Sequence, residues 1–154
     1  MAALLAATAL PARGGGPSLV LQFSAEPASP RACNPVRWRF QLVNHGAAAV
    51  QLRFGSAQRG EIVLRRAGTA RYRWSDGRAF TLRVWSRAVA SHRSWSFTLK
   101  DALPRLAPGR YDLVARVTAS ARRGTARLTA NGTVVVQKAK SACDDRVGAD
   151  CVPS

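Results

Sequence analysis

Two histidines and eight carboxylates are all that the 154-residue chain offers for acid–base or metal chemistry. His45 lies in Asn44-His45-Gly46 and His92 between Ser91 and Arg93, both in stretches that read as turns. A nucleophilic triad needs a serine on a strained elbow beside its histidine, and no serine here has that context. Gly14-Gly15-Gly16 opens no helix and so cradles no phosphate. The three cysteines include no Cys-x-x-Cys pair, and neither histidine is near them in sequence, which speaks against zinc. The expectation is a non-enzyme that needs no metal and no cofactor.

What remains is binding, and charge is its first indicator. Lys plus Arg number 24 against 8 Asp plus Glu, a formal +16. Such a surplus attracts acidic surfaces. It is discounted, however, because 21 of the basic residues are arginine and alanine occurs 28 times, the joint bias of GC-rich codons. A basic sheet face carrying Arg37, Arg39, Arg53, Arg71 and Arg73 would suit an acidic polymer or an acidic protein partner. Nucleic acid is not expected, because few aromatic residues are left outside core positions to stack on bases.

These side chains must be placed by strands. Val36, Trp38, Phe40 and Leu42 alternate with Arg37, Arg39 and Gln41, and Val50, Leu52 and Phe54 alternate with Gln51 and Arg53. The same period of two runs through Tyr72 and Trp74, Trp95 to Leu99, and Tyr111 to Val117. It is the period of half-buried antiparallel strands. Leu19–Phe23, Glu61–Arg65, Phe80–Trp85 and Ala126–Gln137 are further candidates. Asn131-Gly132 inside the last reads as a hairpin turn or a bulge in an edge strand. Turn chemistry separates the runs at Ala67-Gly68, Ser75-Asp76-Gly77, Pro108-Gly109 and Arg123-Gly124. With about eight or nine short strands and no helical period, the chain is expected to form an all-β, immunoglobulin-like antiparallel β-sandwich.

Three blocks within these strands carry a family resemblance. Phe54-Gly55-Ser56-Ala57-Gln58-Arg59-Gly60-Glu61-Ile62, then Arg71-Tyr72-Arg73-Trp74-Ser75-Asp76-Gly77-Arg78-Ala79-Phe80-Thr81, then Leu106-Ala107-Pro108-Gly109-Arg110-Tyr111-Asp112-Leu113 follow in that order. Together they resemble the BsuPI-type intracellular proteinase inhibitor domain, over roughly residues 36–117. Ala57 stands where that family usually has glycine, and Gly60 where an aromatic is common. Phe54, Gln58, Trp74, Ser75, Phe80, Pro108, Gly109 and Tyr111 are read as scaffold: Gln58 to fix a strand end, Trp74 and Phe80 as core. Tyr111 is read as a corner tyrosine whose hydroxyl bonds back to the backbone.

The resemblance implies a protein partner, a serine protease blocked by a surface loop. Such inhibition works through a rigid loop, whose preorganisation lowers the cost of docking. Candidate loops are Gly55–Gly60, Ser86–Ser94 and Leu103–Gly109. In the last, Pro104, Arg105 and Leu106 present an arginine between prolines, suited to a protease that prefers basic side chains.

The ends bear on compartment. Residues 1–17 are read as a signal-like or disordered segment, 18–138 as the sandwich and 139–154 as a cysteine-containing tail. The apolar stretch Met1–Leu10 is too short for a bilayer, which takes roughly 20 residues, and resembles an export signal with Ala7-Thr8-Ala9 as its cleavage site. A disulfide between Cys143 and Cys151 would close the tail, and Cys33 could pair with either instead. Export to the envelope is the expected localisation, with the cytoplasm as the alternative.

Overall fold

A computed structural model describes residues 17–140, and its regular elements are all strands. They are β1 (Leu19–Glu26), β2 (Pro35–Asn44), β3 (Val50–Phe54), β4 (Gly60–Arg66), β5 (Thr69–Arg73) and β6 (Trp85–Val89). After them come β7 (Ser94–Ala102), β8 (Gly109–Val117), β9 (Ala119–Arg123), β10 (Ala126–Arg127) and β11 (Thr129–Val136). They form three sheets with strand orders β10-β1-β2-β7, β11-β8-β4-β5 and β6-β3-β9. Only Thr118 separates β8 from β9, so the chain passes there from the second sheet to the third. The result is an immunoglobulin-like β-sandwich. Among the described residues no helix is long and apolar enough to cross a membrane.

Alternation builds the core. On β2, Val36, Trp38, Phe40 and Leu42 are buried while Arg37, Arg39 and Gln41 face solvent. Each such large apolar side chain contributes about 1.5–3 kcal/mol by leaving water. The rings continue within and between sheets: Phe40 stacks on Phe97 of the neighbouring β7 at 4.7 Å, and Trp38 meets Tyr72 at 6.4 Å. Tyr72 is in β5, so the first and second sheets close on each other through the Trp38–Tyr72 contact.

Among the described residues two polar side chains are buried, and hydrogen bonds satisfy both. Asn44 donates to the carbonyls of Ala48 (2.9 Å), Val89 (2.9 Å) and Ala90 (3.2 Å), and its Oδ1 accepts from the Gly46 amide at 2.9 Å. It thereby fastens the end of β2 to the end of β6. The second is Glu61.

Two strand expectations need correction. Phe80–Trp85 is not a strand: regular pairing starts at Trp85, where β6 meets β3 with Phe54↔Trp85. The segment before it has apolar residues in alternation but no neighbouring strand to take its ladder, which is what a strand requires. Asn131-Gly132 is neither turn nor bulge, because β11 pairs with β8 without a break from Thr129↔Arg116 to Val136↔Gly109. Ala126–Gln137 is instead divided between β10, parallel to β1, and β11 at the sheet end. The described residues hold eleven strands, more than the eight or nine expected, because short pieces such as β9 and β10 lack a readable period.

Gly60 illustrates how closely the layers meet. A Cβ there would lie 3.1 Å from both Phe40 Cζ and Phe97 Cε2, so the stacked rings occupy the space a side chain would take. Gly60→Ala is therefore expected to lower the unfolding free energy by about 1–3 kcal/mol in a denaturant titration.

Candidate functional site

Glu61 is the hinge point of the family-like blocks. Its carboxylate accepts from the Ile62 amide (3.1 Å), the Ser75 amide (3.1 Å), the Ser75 hydroxyl and Gln58 Nε2 (3.3 Å). A buried carboxylate needs this many donors to offset the hydration it has lost. The bonds join the Gly55–Gly60 loop to the Ser75-Asp76-Gly77 turn. Gln58 also donates to Gly60 O (3.1 Å), and Thr118 Oγ1 donates to Gln58 O. The loop is held on both sides.

A second cluster holds the far side of the turn. Arg78 pairs with Asp101 at 2.8 Å, donates to Trp74 O at 2.8 Å and lies 4.5 Å over the Trp74 ring. The Tyr72 hydroxyl donates to Asp101 at 2.7 Å. Burial, and then that carboxylate, push the Tyr72 phenol well above its ordinary range.

Between these holds runs Ala79–Val84. Phe80 packs on Trp74 at 5.7 Å, and Thr81 O accepts from the Ala57 amide at 2.9 Å. At the other end Trp85 stacks on Phe54 at 4.0 Å and donates to Ser56 O at 2.8 Å. In the middle, Leu82 is 90% exposed and Val84 59% exposed. Thr81, Arg83, Trp85 and Arg87, the odd positions, line a groove of about 540 Å³ with Arg59 and Trp95. Alternation between two faces is the habit of extended backbone. The segment thus shows Leu82 and Val84 on one face and Thr81 and Arg83 on the other, where Arg59 and Arg87 join them.

The residues singled out in the sequence take these places. Phe54 is fully buried, Trp74 is buried and Phe80 partly so. The Tyr111 hydroxyl donates to Ala107 O at 2.7 Å, and Arg66 reaches Pro108 O at 3.3 Å, which fixes the chain at Pro108-Gly109. Gly109 has φ 135°, open to glycine and strained for other residues. In Pro104-Arg105-Leu106 the proline and arginine are exposed, whereas Leu106 is buried with its amide turned back to Pro104 O at 2.8 Å, and Leu103 before it is fully buried. Ser86–Ser94 is mostly strand, which leaves only residues 90–93 as a connection.

The five arginines expected on one basic face are spread over three sheets. Arg37 and Arg39 are on β2, Arg53 on β3, and Arg71 and Arg73 on β5. Arg39 is also engaged by Glu26 at 3.0 Å. His45 and His92 are both exposed. Cys33 is disulfide-bonded, while Cys143 and Cys151 lie outside the described residues. Sequence reasoning missed Leu82 and Arg83 because an apolar alternation next to a strand reads as strand. The unabsorbed signal was the Ser75-Asp76-Gly77 turn just upstream.

A sequence model described as BsuPI, intracellular proteinase inhibitor, matches residues 22–122. No curated protein matches the chain. Among solved structures, sporulation control protein Spo0M from Bacillus subtilis is similar at 12% identity, with 82% of this chain and 52% of that one covered and a TM-score of 0.49. The CARDB domain of a Pyrococcus furiosus protein is 12% identical over 78% of this chain and 86% of its own, with a TM-score of 0.43. The alkylpurine DNA glycosylase AlkC of Pseudomonas fluorescens is 10% identical over 79% of this chain, which spans only 31% of the glycosylase, with a TM-score of 0.44. These are likenesses of fold alone.

Glu61→Ala leaves the Ile62 and Ser75 amides without their acceptor and is expected to cost about 3 kcal/mol in chemical unfolding. The raised Tyr72 phenol gives a second test. Stability linked to it is complete below the unfolded phenol value of about 10 and declines as pH rises beyond it, because the folded chain keeps the proton longer. Tyr72→Phe should remove that alkaline decline in a pH series of melting temperatures.

Proposed function

The chain belongs to the BsuPI family of intracellular proteinase inhibitors, and from that premise we propose that it blocks a serine proteinase by docking the Ala79–Val84 segment. The observation that carries this reading is the exposure of Leu82 and Val84 on a segment fixed at both ends. An exposed leucine gains about 1.5–3 kcal/mol on entering an apolar pocket. Clamping by Trp74, Ala57 and Trp85 means that little backbone freedom is left to lose on docking. Pro104-Arg105-Leu106 is a poorer candidate, since Leu106 is committed to the core. The activity is binding, not catalysis, and the partner prefers a large apolar side chain over a basic one.

Separately from the family description, we propose that the protein is exported. What supports it is the disulfide at Cys33, a bond that persists in oxidising compartments, together with the signal-like Met1–Leu10.

Residual activity of subtilisin-like and trypsin-like proteases with excess protein tests the inhibition. Inhibition of at least one apolar-preferring protease is expected. Leu82→Asp should weaken it by about 30-fold or more, the size of a hot spot, whereas Arg105→Ala should leave it unchanged. Full protease activity across the panel, or loss at Arg105 and not at Leu82, overturns the proposal. Intact mass of the natively expressed protein, with and without reduction, checks compartment: a cleaved N-terminus and an oxidised Cys33 are expected.

A further inference from the structure

We infer that the groove formed by Arg59, Arg83, Arg87, Trp85 and Trp95 is a binding site in its own right, and that its occupant is an acidic stretch of polypeptide. It lies on the odd-numbered face of the segment whose even-numbered face carries Leu82 and Val84. It therefore does not rest on the inhibitory reading.

Charge is the first argument. The groove gathers three guanidinium groups into about 540 Å³. The described residues carry five carboxylates, Glu26, Glu61, Asp76, Asp101 and Asp112, and none of them lines it. Elsewhere two arginines pair with carboxylates of the chain, Arg39 with Glu26 and Arg78 with Asp101. Three like charges brought together at one groove favour an anionic occupant, and guanidinium matches carboxylate through paired hydrogen bonds.

Shape argues for polypeptide over an acidic glycan. One face of the Trp85 indole lies on Phe54 at 4.0 Å, and Arg87 lies 5.6 Å over the Trp95 ring, so each indole already has one face engaged. The backbone is better disposed. Trp85 and Arg87 belong to β6 and Trp95 to β7, and each strand stands at the end of its sheet's order. Strand ends of sheets accept an added strand through main-chain hydrogen bonds, and alternate side chains of that strand then meet the groove. Glutamates or aspartates at those alternate positions would face Arg59, Arg83 and Arg87.

The test is fluorescence anisotropy with a labelled peptide of alternating Glu and Val, added to the full-length protein. Saturable binding that weakens with salt is expected. Arg59→Ser with Arg87→Ser should weaken it by about tenfold or more, while Arg37→Ser with Arg71→Ser, an equal loss of charge away from the groove, should have little effect. Should the first pair melt early, Arg83→Glu reads the same site from an exposed position. Leu82→Asp should bind the peptide normally, which separates this site from the inhibitory one. Equal loss in both charge-matched pairs, equal binding of the Gln–Val peptide, or tighter binding of a polyuronate or of inorganic phosphate overturns the proposal.

Discussion

A carboxylate with almost no access to water governs one end of this sandwich. Glu61 must be surrounded by donors, and besides the amide of its neighbour Ile62 these come from the Gly55–Gly60 loop and from the Ser75-Asp76-Gly77 turn. Satisfying one buried charge therefore fixes two separate connections relative to each other. Everything downstream inherits that fixation. Trp74 is held beside the turn, Phe80 rests on Trp74, and the chain that follows starts from a defined point. Without Glu61 the surface would still have its residues but would lose their common frame.

The opposite end of the same stretch is fixed by aromatic packing. Phe54, Trp85 and Trp95 form a contiguous set, with Phe54 stacked on Trp85 and edge-on to Trp95. Apolar and electrostatic restraints thus bracket a segment that has no strand neighbour of its own. Its two faces can then differ in chemistry without competing for the core, the apolar pair on one side and Arg83, beside Arg59 and Arg87, on the other.

Much of the architecture was legible in alternation, because burial on one face imposes a period of two that β2 and β3 display without interruption. The sandwich and most of its longer strands follow from that rule, whereas the short β9 and β10 do not. The site was less legible. Ala79–Val84 has the same alternation as a strand, and only the lack of a pairing partner, a three-dimensional fact, makes it something else. Asn131-Gly132 misled in the opposite sense, since a good turn pair sits in a straight strand when its neighbour β8 supplies uninterrupted pairing. The arginines were visible as a surplus, but which of them share a surface depends on sheet membership, and that was not encoded in local spacing. Glu61 attracted notice only as part of a motif, although an acidic residue opening an apolar run is itself a signal of a charge being buried on purpose.

The holds on Ala79–Val84 have one more implication. They consist of backbone atoms and of side chains outside positions 81–84: Phe80, Trp85, Arg78 and the carbonyl of Thr81. The side chains of residues 81–84 are thereby released from structural duty. Related chains can diversify these four positions freely while keeping the mount intact, and a combinatorial library built there would sample new recognition specificities on an unaltered frame.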